Sequence, residues 1–250
     1  MSNAIFELNK TERNLISACI VFLAFFLLVT FFRTSFHSVD VEVNLWIPKI
    51  QSSALTYLAQ GVAAIFDTTS LIIISLFISG VLFLKNHKAQ GLLVLAAMGG
   101  DALIVSAIKN IEHVARPTNG IFLDTANFSY PSGHSAGVVV FAGVLAYFAL
   151  RHWQNTRSKA MLGMGFGFIV GIVGFDRLYL NVHWVSDVLG GWLLGAFWLL
   201  FAVCVFRQLL VAGRLGSKRF SLVAMLLYVG AVVVAVFVVL HGLFGASLSF

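Results

Sequence analysis

The amino-acid sequence predicts an all-α fold, a bundle of helices that crosses a membrane several times. Hydrophobic residues make up 60% of the 250 positions, only 10% are charged, and the mean hydropathy is +0.96. A soluble domain is nearer half apolar and about a quarter charged. The spanning segments must be helices, because an open strand edge in lipid would leave backbone groups without hydrogen-bond partners.

Seven apolar segments are candidates for the spanning helices, each of which needs about 20 residues to cross a bilayer. They cover residues 14–32, 69–84, 90–109, 134–149, 160–175, 184–206 and 221–244. The second, fourth and fifth are short and need extra turns or tilt. The first lacks a small-residue cleavage site, so we predict a retained span. The sequence therefore predicts one bundle of about six or seven spans.

The loop between the first two spans is longer than the others. Residues 41–60 mix apolar and polar positions without reaching spanning length. This pattern predicts one helix lying in the membrane interface, with Trp46 and Tyr57 at headgroup depth. Asp67 is expected to cap the helix that follows.

The basic residues predict which way the chain crosses the membrane. With the N-terminus inside, the inner segments hold 11 Lys and Arg residues and the outer segments hold 5 of the 16. An excess of basic residues is typical of cytoplasmic loops. No basic run with interleaved aromatic residues occurs, so no nucleic-acid partner is expected.

Three of the five outer basic residues belong to polar clusters. In the first cluster, Lys109 and Arg116 are seven residues apart and share a face if the helix continues. Two cations held together at a membrane rim are costly, and a bound anion would relieve their repulsion. Ordinary snorkelling of basic side chains at a helix end is the alternative.

The second cluster is the sequence YPSGHSAG. Pro131 ends the preceding segment, and Ser132 can cap the apolar helix that follows. Free N–H groups at that helix start, beside the flexible Gly133, would bind an anion, and His134 points into the same space. A plain loop with a helix cap is the alternative.

The third cluster combines Arg177 with His183 and Asp187, which are four residues apart and stack on one helical face. An aspartate that holds one imidazole nitrogen leaves the other available as a base or nucleophile. A polar patch where a span enters the interface is the alternative. His134, His183 and Asp187 are suitable metal ligands by type, but three cations in the same pocket oppose a dication. We therefore expect no metal and no cofactor.

Together the three clusters resemble the type 2 phosphatidic acid phosphatase family, whose relatives include acid phosphatases and vanadium haloperoxidases. That family's motifs read K-x6-RP, PSGH and SR-x5-H-x3-D. In order and spacing they correspond here to Lys109, Arg116 and Pro117, then to Pro131, Ser132, Gly133 and His134, and then to Arg177, His183 and Asp187. The motifs cover about the middle third of the chain, residues 109–187.

The resemblance implies that residues 1–220 form a metal-independent membrane phosphatase with a six-helix core, and that residues 221–250 add a C-terminal span and its tail. It implies His183 as the nucleophile that attacks phosphorus, Asp187 as the residue that orients its imidazole, and His134 as the acid that protonates the leaving oxygen. The phosphate-binding residues that it implies are Lys109, Arg116, Ser132, Gly133 and Arg177. One position departs from the pattern, because Asp176 stands where the family has a serine. This carboxylate would repel phosphate unless it is protonated or paired, and Arg177 is the expected partner.

The resemblance further implies hydrolysis of a lipid monophosphate or diphosphate through a phosphohistidine. A soluble substrate would not require a multi-span body, so the expected partners are a lipid phosphate and the bilayer of the cell (inner) membrane. Polyprenyl diphosphate is favoured, with phosphatidylglycerophosphate or phosphatidic acid next. The alternatives are transfer of the phosphate to a lipid acceptor, and a non-enzymatic anion or lipid transporter. Transporters place their charges near the bilayer midplane, whereas these clusters lie at helix ends.

One acidic residue lies deeper than the clusters. Asp101 precedes Lys109 by eight residues, about 12 Å along a helix. An acidic residue within a membrane span is a candidate functional residue. A structural, hydrogen-bonded role is the alternative.

The predicted orientation places the polar clusters at the periplasmic or exterior face. A single cysteine at Asn119, in a chain that lacks Cys19 and Cys204, should react with an impermeant thiol reagent in intact cells. A single cysteine at Asn155 should react only after the membrane is opened. The reverse pattern of labelling would invert the orientation.

Overall fold

The computed structural model describes residues 10–121, 128–153, 155–213 and 215, which form eight α-helices and contain no strand. The helices are α1 (Lys10–Phe31), α2 (His37–Trp46), α3 (Ser53–Ile65), α4 (Thr68–Leu84), α5 (Lys88–Glu112), α6 (Gly133–His152), α7 (Thr156–Tyr179) and α8 (Val185–Val211). The predicted all-helical membrane bundle is confirmed. The predicted span at residues 221–244 and the boundary at residue 220 lie outside the described residues.

Five of the described helices, namely α1, α5, α6, α7 and α8, are long and apolar enough to cross a membrane. Helix α4 has 17 residues and meets this criterion only together with α3, from which it is bent by 45°. The segments predicted to be short at residues 134–149 and 160–175 become helices of 20 and 24 residues. Both helices extend past the apolar segments into flanking polar residues.

Helix α6 lies at the centre of the bundle and contacts α5, α7 and α8. Of its most apolar 18 residues, 61% are buried inside the protein, compared with 6% for α1. The main apolar core joins α4, α5, α6 and α8 through side chains such as Leu71, Leu93, Val140 and Phe206. A second cluster packs α1 against the start of α6, where Phe26 stacks on Tyr130.

Glycines on α8 allow it to approach α6 at backbone distance. A Cβ atom added at Gly195 would lie 2.6 Å from the backbone oxygen of Ala136, and one at Gly191 would lie 2.5 Å from that of Ser132. Small residues at helix contacts are typical of membrane bundles, because packing rather than a hydrophobic force holds the helices together. This contact sets the position of the start of α8 relative to the start of α6.

The segment between α1 and α4 differs from the predicted single interfacial helix over residues 41–60. It forms the two helices α2 and α3, separated by a 3₁₀ turn at Ile47–Ile50 and an extended residue at Gln51. Pro48 has no N–H to continue a helical hydrogen-bond ladder, and the hydroxyl of Ser52 caps the first turn of α3. Pro48 and the Ser52 cap therefore divide the segment that the mixed apolar pattern predicted to be one helix.

This broken segment is attached to the end of the bundle. Asn44 donates from Nδ2 to Oδ1 of Asn181 at 2.6 Å, and Asn181 donates from Nδ2 to the Asn44 carbonyl at 3.2 Å. Gln51 donates to the backbone oxygen of Tyr179 at 2.7 Å, and the Ser52 N–H donates to the Tyr179 hydroxyl at 2.9 Å. The segment therefore covers the end of α7 and the turn that follows it.

Two smaller expectations concern the same segment. Asp67 caps α4 as predicted, because its Oδ2 accepts a hydrogen bond from the Thr69 N–H at 2.8 Å. Trp46 and Tyr57 are exposed. Their location at headgroup depth stays a prediction.

The helix ends that carry the polar clusters meet at one end of the bundle. Consecutive spanning helices run antiparallel, so the C-terminal ends of α5 and α7 lie beside the N-terminal ends of α6 and α8. Backbone hydrogen bonds join the connecting loops, from Ser132 N–H to the Asp187 oxygen at 3.0 Å and from Ile121 N–H to the Leu180 oxygen at 3.0 Å.

Replacing Gly195 with alanine should destabilise the bundle by about 1–3 kcal/mol, because the added methyl group meets rigid backbone of α6. The measurement is the thermal unfolding midpoint in detergent. Gly165→Ala on α7 is the matched control, since a Cβ there has nothing within 4 Å. Equal midpoints for the two variants would show that the α6–α8 contact is looser than described.

Candidate active site

The structure brings all eight predicted site residues to the same end of the bundle. Lys109 lies in the last turn of α5, Arg116 in the following loop, Ser132, Gly133 and His134 at the start of α6, Arg177 in the last turn of α7, His183 in the turn before α8, and Asp187 in the first turn of α8. Residues up to 78 positions apart therefore form one cluster.

The carboxylate of Asp187 is fully buried and gathers three donors on one oxygen. Its Oδ2 accepts hydrogen bonds from the Trp184 N–H at 2.9 Å, from Nδ1 of His183 at 3.2 Å, and from the Ser129 hydroxyl. An ionised carboxylate only accepts hydrogen bonds, so Nδ1 of His183 carries the proton. The lone pair of the neutral ring is then on Nε2.

Nε2 of His183 lies 3.3 Å from the guanidinium NH1 of Arg116, which also donates to the Val182 carbonyl at 3.0 Å. Burial, and next the positive charges of Arg116 and Lys109, hold the pKa of His183 well below its ordinary value. The imidazole is therefore neutral at neutral pH. A neutral ring with a fixed Nδ1 proton is the form that acts as a nucleophile.

The ammonium group of Lys109 is held by backbone carbonyls of the loop before α6. It donates to the oxygen of Ser129 at 3.1 Å and to the oxygen of Phe128. These contacts tie the end of α5 to the residues that precede the PSGH sequence. They also keep the positive charge of Lys109 beside the His183–Asp187 pair.

Ser132 and Gly133 occupy different places at the start of α6. Ser132 is fully buried, its hydroxyl caps the helix by accepting from the Ser135 N–H at 3.4 Å, and its own N–H donates to the Asp187 backbone. Gly133 lines the cavity described below, whereas Ser132 lies behind it. The first turn of α6 therefore offers the backbone of Gly133 to a ligand.

His134 lies in the first turn of α6 and lines the same cavity as His183. Its Nε2 is 3.8 Å from Oδ1 of Asp67, and the ring also hydrogen-bonds to the backbone of Ala63. His134 thus comes from the start of α6 and His183 from the turn before α8, and the two have different carboxylate neighbours.

Arg177 is buried and turned toward its neighbour Asp176. Its Nε donates to Oδ2 of Asp176 at 2.9 Å, and its NH2 group contacts the same oxygen. The expected pairing of these two residues is present, and neither of them lines the cavity. The carboxylate occupies one edge of the guanidinium fork.

A cavity of about 330 Å³ extends from the cluster into the bundle between α4, α5 and α6. Five of the eight predicted site residues line it, namely Lys109, Arg116, Gly133, His134 and His183. Asp187, Ser132 and Arg177 lie outside the lining. Asp187 is nevertheless in direct contact with His183, as a supporting residue would be.

Sequence reasoning missed two residues of this cluster. The Ser129 hydroxyl contacts both Nδ1 of His183, at 3.2 Å, and Asp187. Asp40 on α2 is buried and accepts hydrogen bonds from the N–H and hydroxyl of Ser186, at 2.9 and 2.7 Å, so it caps the start of α8 from outside. The position of Ser129 two residues before the PSGH sequence was the available signal. Asp40 is 146 residues from its partner Ser186, and no pattern in the sequence indicates that the two residues meet.

Metal ligation was considered in the sequence on the basis of His134, His183 and Asp187. Among the described residues, no group of three or more His, Cys, Asp or Glu side chains is arranged to hold a metal ion. Beside His183 the cavity is lined by the cations Lys109 and Arg116, which are suited to an anion, whereas Asp67 and Asp101 line other parts of it.

Known proteins have sequences similar to that of this chain. The sequence profile of the PAP2 superfamily matches residues 90–211. Phosphatidylglycerophosphatase B of Bacillus subtilis is 30% identical over 177 residues, which are 70% of this chain and 87% of that protein. An undecaprenyl-diphosphatase of Sulfolobus acidocaldarius is 37% identical over 75 residues, 30% of this chain and 32% of that protein.

A solved structure is similar as well. The crystal structure of a transmembrane PAP2-type phosphatidylglycerolphosphate phosphatase from Bacillus subtilis superimposes with a TM-score of 0.68 at 26% identity. The match covers 82% of this chain and 99% of that one. Motifs, helical bundle and sequence likeness agree, and the chain belongs to the PAP2 superfamily of membrane phosphatases.

Proposed function

We propose that this phosphatase removes phosphate from a membrane lipid by way of a phosphohistidine. The observation that carries the proposal is the buried His183–Asp187 pair, which presents Nε2 of His183 to a cavity lined by Lys109 and Arg116. The cavity lies at the end of a membrane bundle, so a lipid can keep its chains in apolar surroundings while its phosphate enters the polar cluster.

Binding of the phosphate is the first step of the proposed reaction. Lys109 and Arg116 supply positive charge to its non-bridging oxygens, and the start of α6 supplies the backbone N–H of Gly133. Arg177, held by Asp176, adds a further positive charge from behind the cavity. These groups stabilise the charge that builds on the equatorial oxygens in the transition state.

The chemical step is an in-line displacement. Nε2 of His183 forms a bond to phosphorus as the bond from phosphorus to the lipid oxygen breaks, and His134 gives the leaving oxygen a proton. The Nδ1 proton stays on the ring and is stabilised by Asp187 as the imidazole becomes positively charged. His134 then takes a proton from water, which attacks phosphorus and releases His183 and inorganic phosphate.

The relatives support a ranking of the substrates. The relative that matches 70% of this chain at 30% identity is named a phosphatidylglycerophosphatase. The undecaprenyl-diphosphatase of Sulfolobus acidocaldarius matches 30% of the chain, and a putative undecaprenyl-diphosphatase of Escherichia coli matches 58% at 27% identity. We therefore place phosphatidylglycerophosphate first, with phosphatidic acid as its simpler analogue, and polyprenyl diphosphate second. This order reverses the one favoured from the sequence. The excess of basic residues in the predicted inner segments supports hydrolysis at the periplasmic or exterior face.

Two alternatives from the sequence bear on this proposal. Membership in a phosphatase superfamily favours an enzyme over a transporter. Transfer to a lipid alcohol would use the same phosphohistidine and would differ only in the acceptor that enters after the first product leaves. Comparing inorganic phosphate with phosphorylated lipid among the products, in the presence of a lipid alcohol, distinguishes the two reactions.

The test of the proposal is release of inorganic phosphate by the purified protein from phosphatidylglycerophosphate, phosphatidic acid and polyprenyl diphosphate. His183→Ala should lower kcat by about 1,000-fold or more on every substrate that the wild type accepts, because the nucleophile is lost. His152→Ala at the opposite end of α6 is the matched control and should retain wild-type turnover. Turnover by the His183 variant at the wild-type rate would refute the assignment of His183 as the nucleophile.

A chelator added to the same assay should leave the rate unchanged, since the proposed steps use only side chains of the chain itself. Loss of activity with chelator and recovery with one added metal ion would contradict the phosphohistidine route. Phosphate release from none of the three lipids would contradict the proposed substrate class.

Asp176 provides a separate prediction about phosphate binding. Asp176→Ser should raise KM about tenfold with a smaller change in kcat, because a buried Arg177 would lose the carboxylate that orients it. Asp176→Asn keeps an acceptor oxygen and should have a smaller effect. An unchanged or lower KM in the serine variant would show that Asp176 opposes phosphate rather than positioning Arg177.

A further inference from the structure

Asp101 is a buried carboxyl group that the proposed reaction does not use. It lies in the middle of α5 and is 4% exposed, and among the described residues its Oδ1 has no hydrogen-bond partner. Such a group in the hydrocarbon region of a membrane is costly unless it is hydrogen-bonded. A polar group of a ligand could therefore supply the hydrogen bond that Oδ1 of Asp101 lacks among the described residues.

The cavity that begins at the catalytic cluster reaches this carboxyl group. Its lining includes Lys109 and His183 at the rim and Asp101 and Met98 farther into the bundle. A Cβ atom added at Gly137, across the cavity, would lie 3.8 Å from Oδ2 of Asp101. The same atom would lie 3.1 Å from Cδ1 of Leu71, so a side chain at position 137 would fill the space that separates Leu71 from the carboxyl group.

The depth of Asp101 in the cavity indicates which part of a bound lipid phosphate would lie beside it. Asp101 precedes Lys109 by eight residues, so it lies about 12 Å farther along the helix axis than the phosphate-binding end. In phosphatidylglycerophosphate a glycerol and a phosphodiester separate the terminal phosphate from the acylated glycerol. The ester carbonyls of this lipid reach a comparable depth, whereas a polyprenyl diphosphate has only hydrocarbon there.

The volume of the cavity agrees with this assignment. About 330 Å³ is at the lower end of the range for small-molecule pockets. It is suited to a headgroup and the acylated glycerol, with the acyl chains outside. Ile72 and Ser106, which also line the cavity, are exposed on the outer surface of the bundle between α4 and α5. The chains can leave the cavity toward lipid at this position.

We propose that Asp101 donates a hydrogen bond to an ester carbonyl of a glycerolipid phosphate and thereby selects this class over polyprenyl diphosphate. Burial away from water favours the uncharged form of the Asp101 carboxyl group, which has one O–H to donate, whereas an ester carbonyl can only accept. Pairing them satisfies both groups, while an isoprenoid chain against Asp101 would leave the carboxyl without a partner. The inference rests on the proposed function and adds a specificity-determining residue to it.

The test compares two substrates that differ only at the proposed acceptor, a diacyl phosphatidylglycerophosphate and its dialkyl ether counterpart with the same chains. The wild type should prefer the diacyl lipid in kcat/KM by about threefold to tenfold, the contribution of one hydrogen bond. Asp101→Leu should abolish this preference by lowering the diacyl value alone. Asp101→Asn retains a donor and should keep most of the preference.

Several outcomes would overturn the inference. One is a wild type that does not distinguish the two lipids, which can be measured even if the leucine variant does not fold. Another is an Asp101→Leu variant that keeps the wild-type ratio, or that loses activity equally on both lipids as a structural residue would. If the wild type hydrolyses neither glycerolipid phosphate but does hydrolyse polyprenyl diphosphate, the substrate ranking fails and the inference fails with it.

Discussion

The site depends on one buried oxygen, Oδ2 of Asp187. Its three donors come from the turn before α8, from the imidazole of His183, and from Ser129 in the loop that leads into α6. The backbone oxygen of the same residue accepts the N–H of Ser132. A single aspartate in the first turn of α8 therefore sets the histidine tautomer and joins two helix starts. Its burial makes these contacts strong, because few waters compete for them.

Positive charge is the second constraint. Lys109 and Arg116 each donate to backbone carbonyls, and Arg177 is paired with Asp176. These partners orient the cations, and Lys109 and Arg116 both line the cavity. Burial is the main cause that holds the pKa of His183 below its ordinary value, and the positive charges of Arg116 and Lys109 add to it. The charges that serve the proposed phosphate binding therefore also favour the neutral form of His183.

The membrane bundle determines where this chemistry takes place. Close contact of α6 and α8 at Gly191 and Gly195 aligns the two helix starts, and α2 closes the same end through the hydrogen bonds of Asp40 to Ser186. The cavity then has a polar rim and an apolar interior that contains one carboxyl group, Asp101. A lipid phosphate has the same order of polar and apolar parts, which is why a fold of this kind suits such a ligand.

The sequence by itself determined the helical membrane architecture, because apolar segments of spanning length have no other stable form in lipid. It also determined the motif residues, since Lys109, Arg116, His134, His183 and Asp187 keep fixed spacings along helices that begin and end near them. The break between α2 and α3 was missed, because Pro48 and the Ser52 cap override a mixed apolar pattern. Only the tertiary structure decided that Ser129 and Asp40 support the site, that Ser132 lies behind Gly133, and that the cavity reaches Asp101. These contacts join distant segments, and no local pattern encodes them.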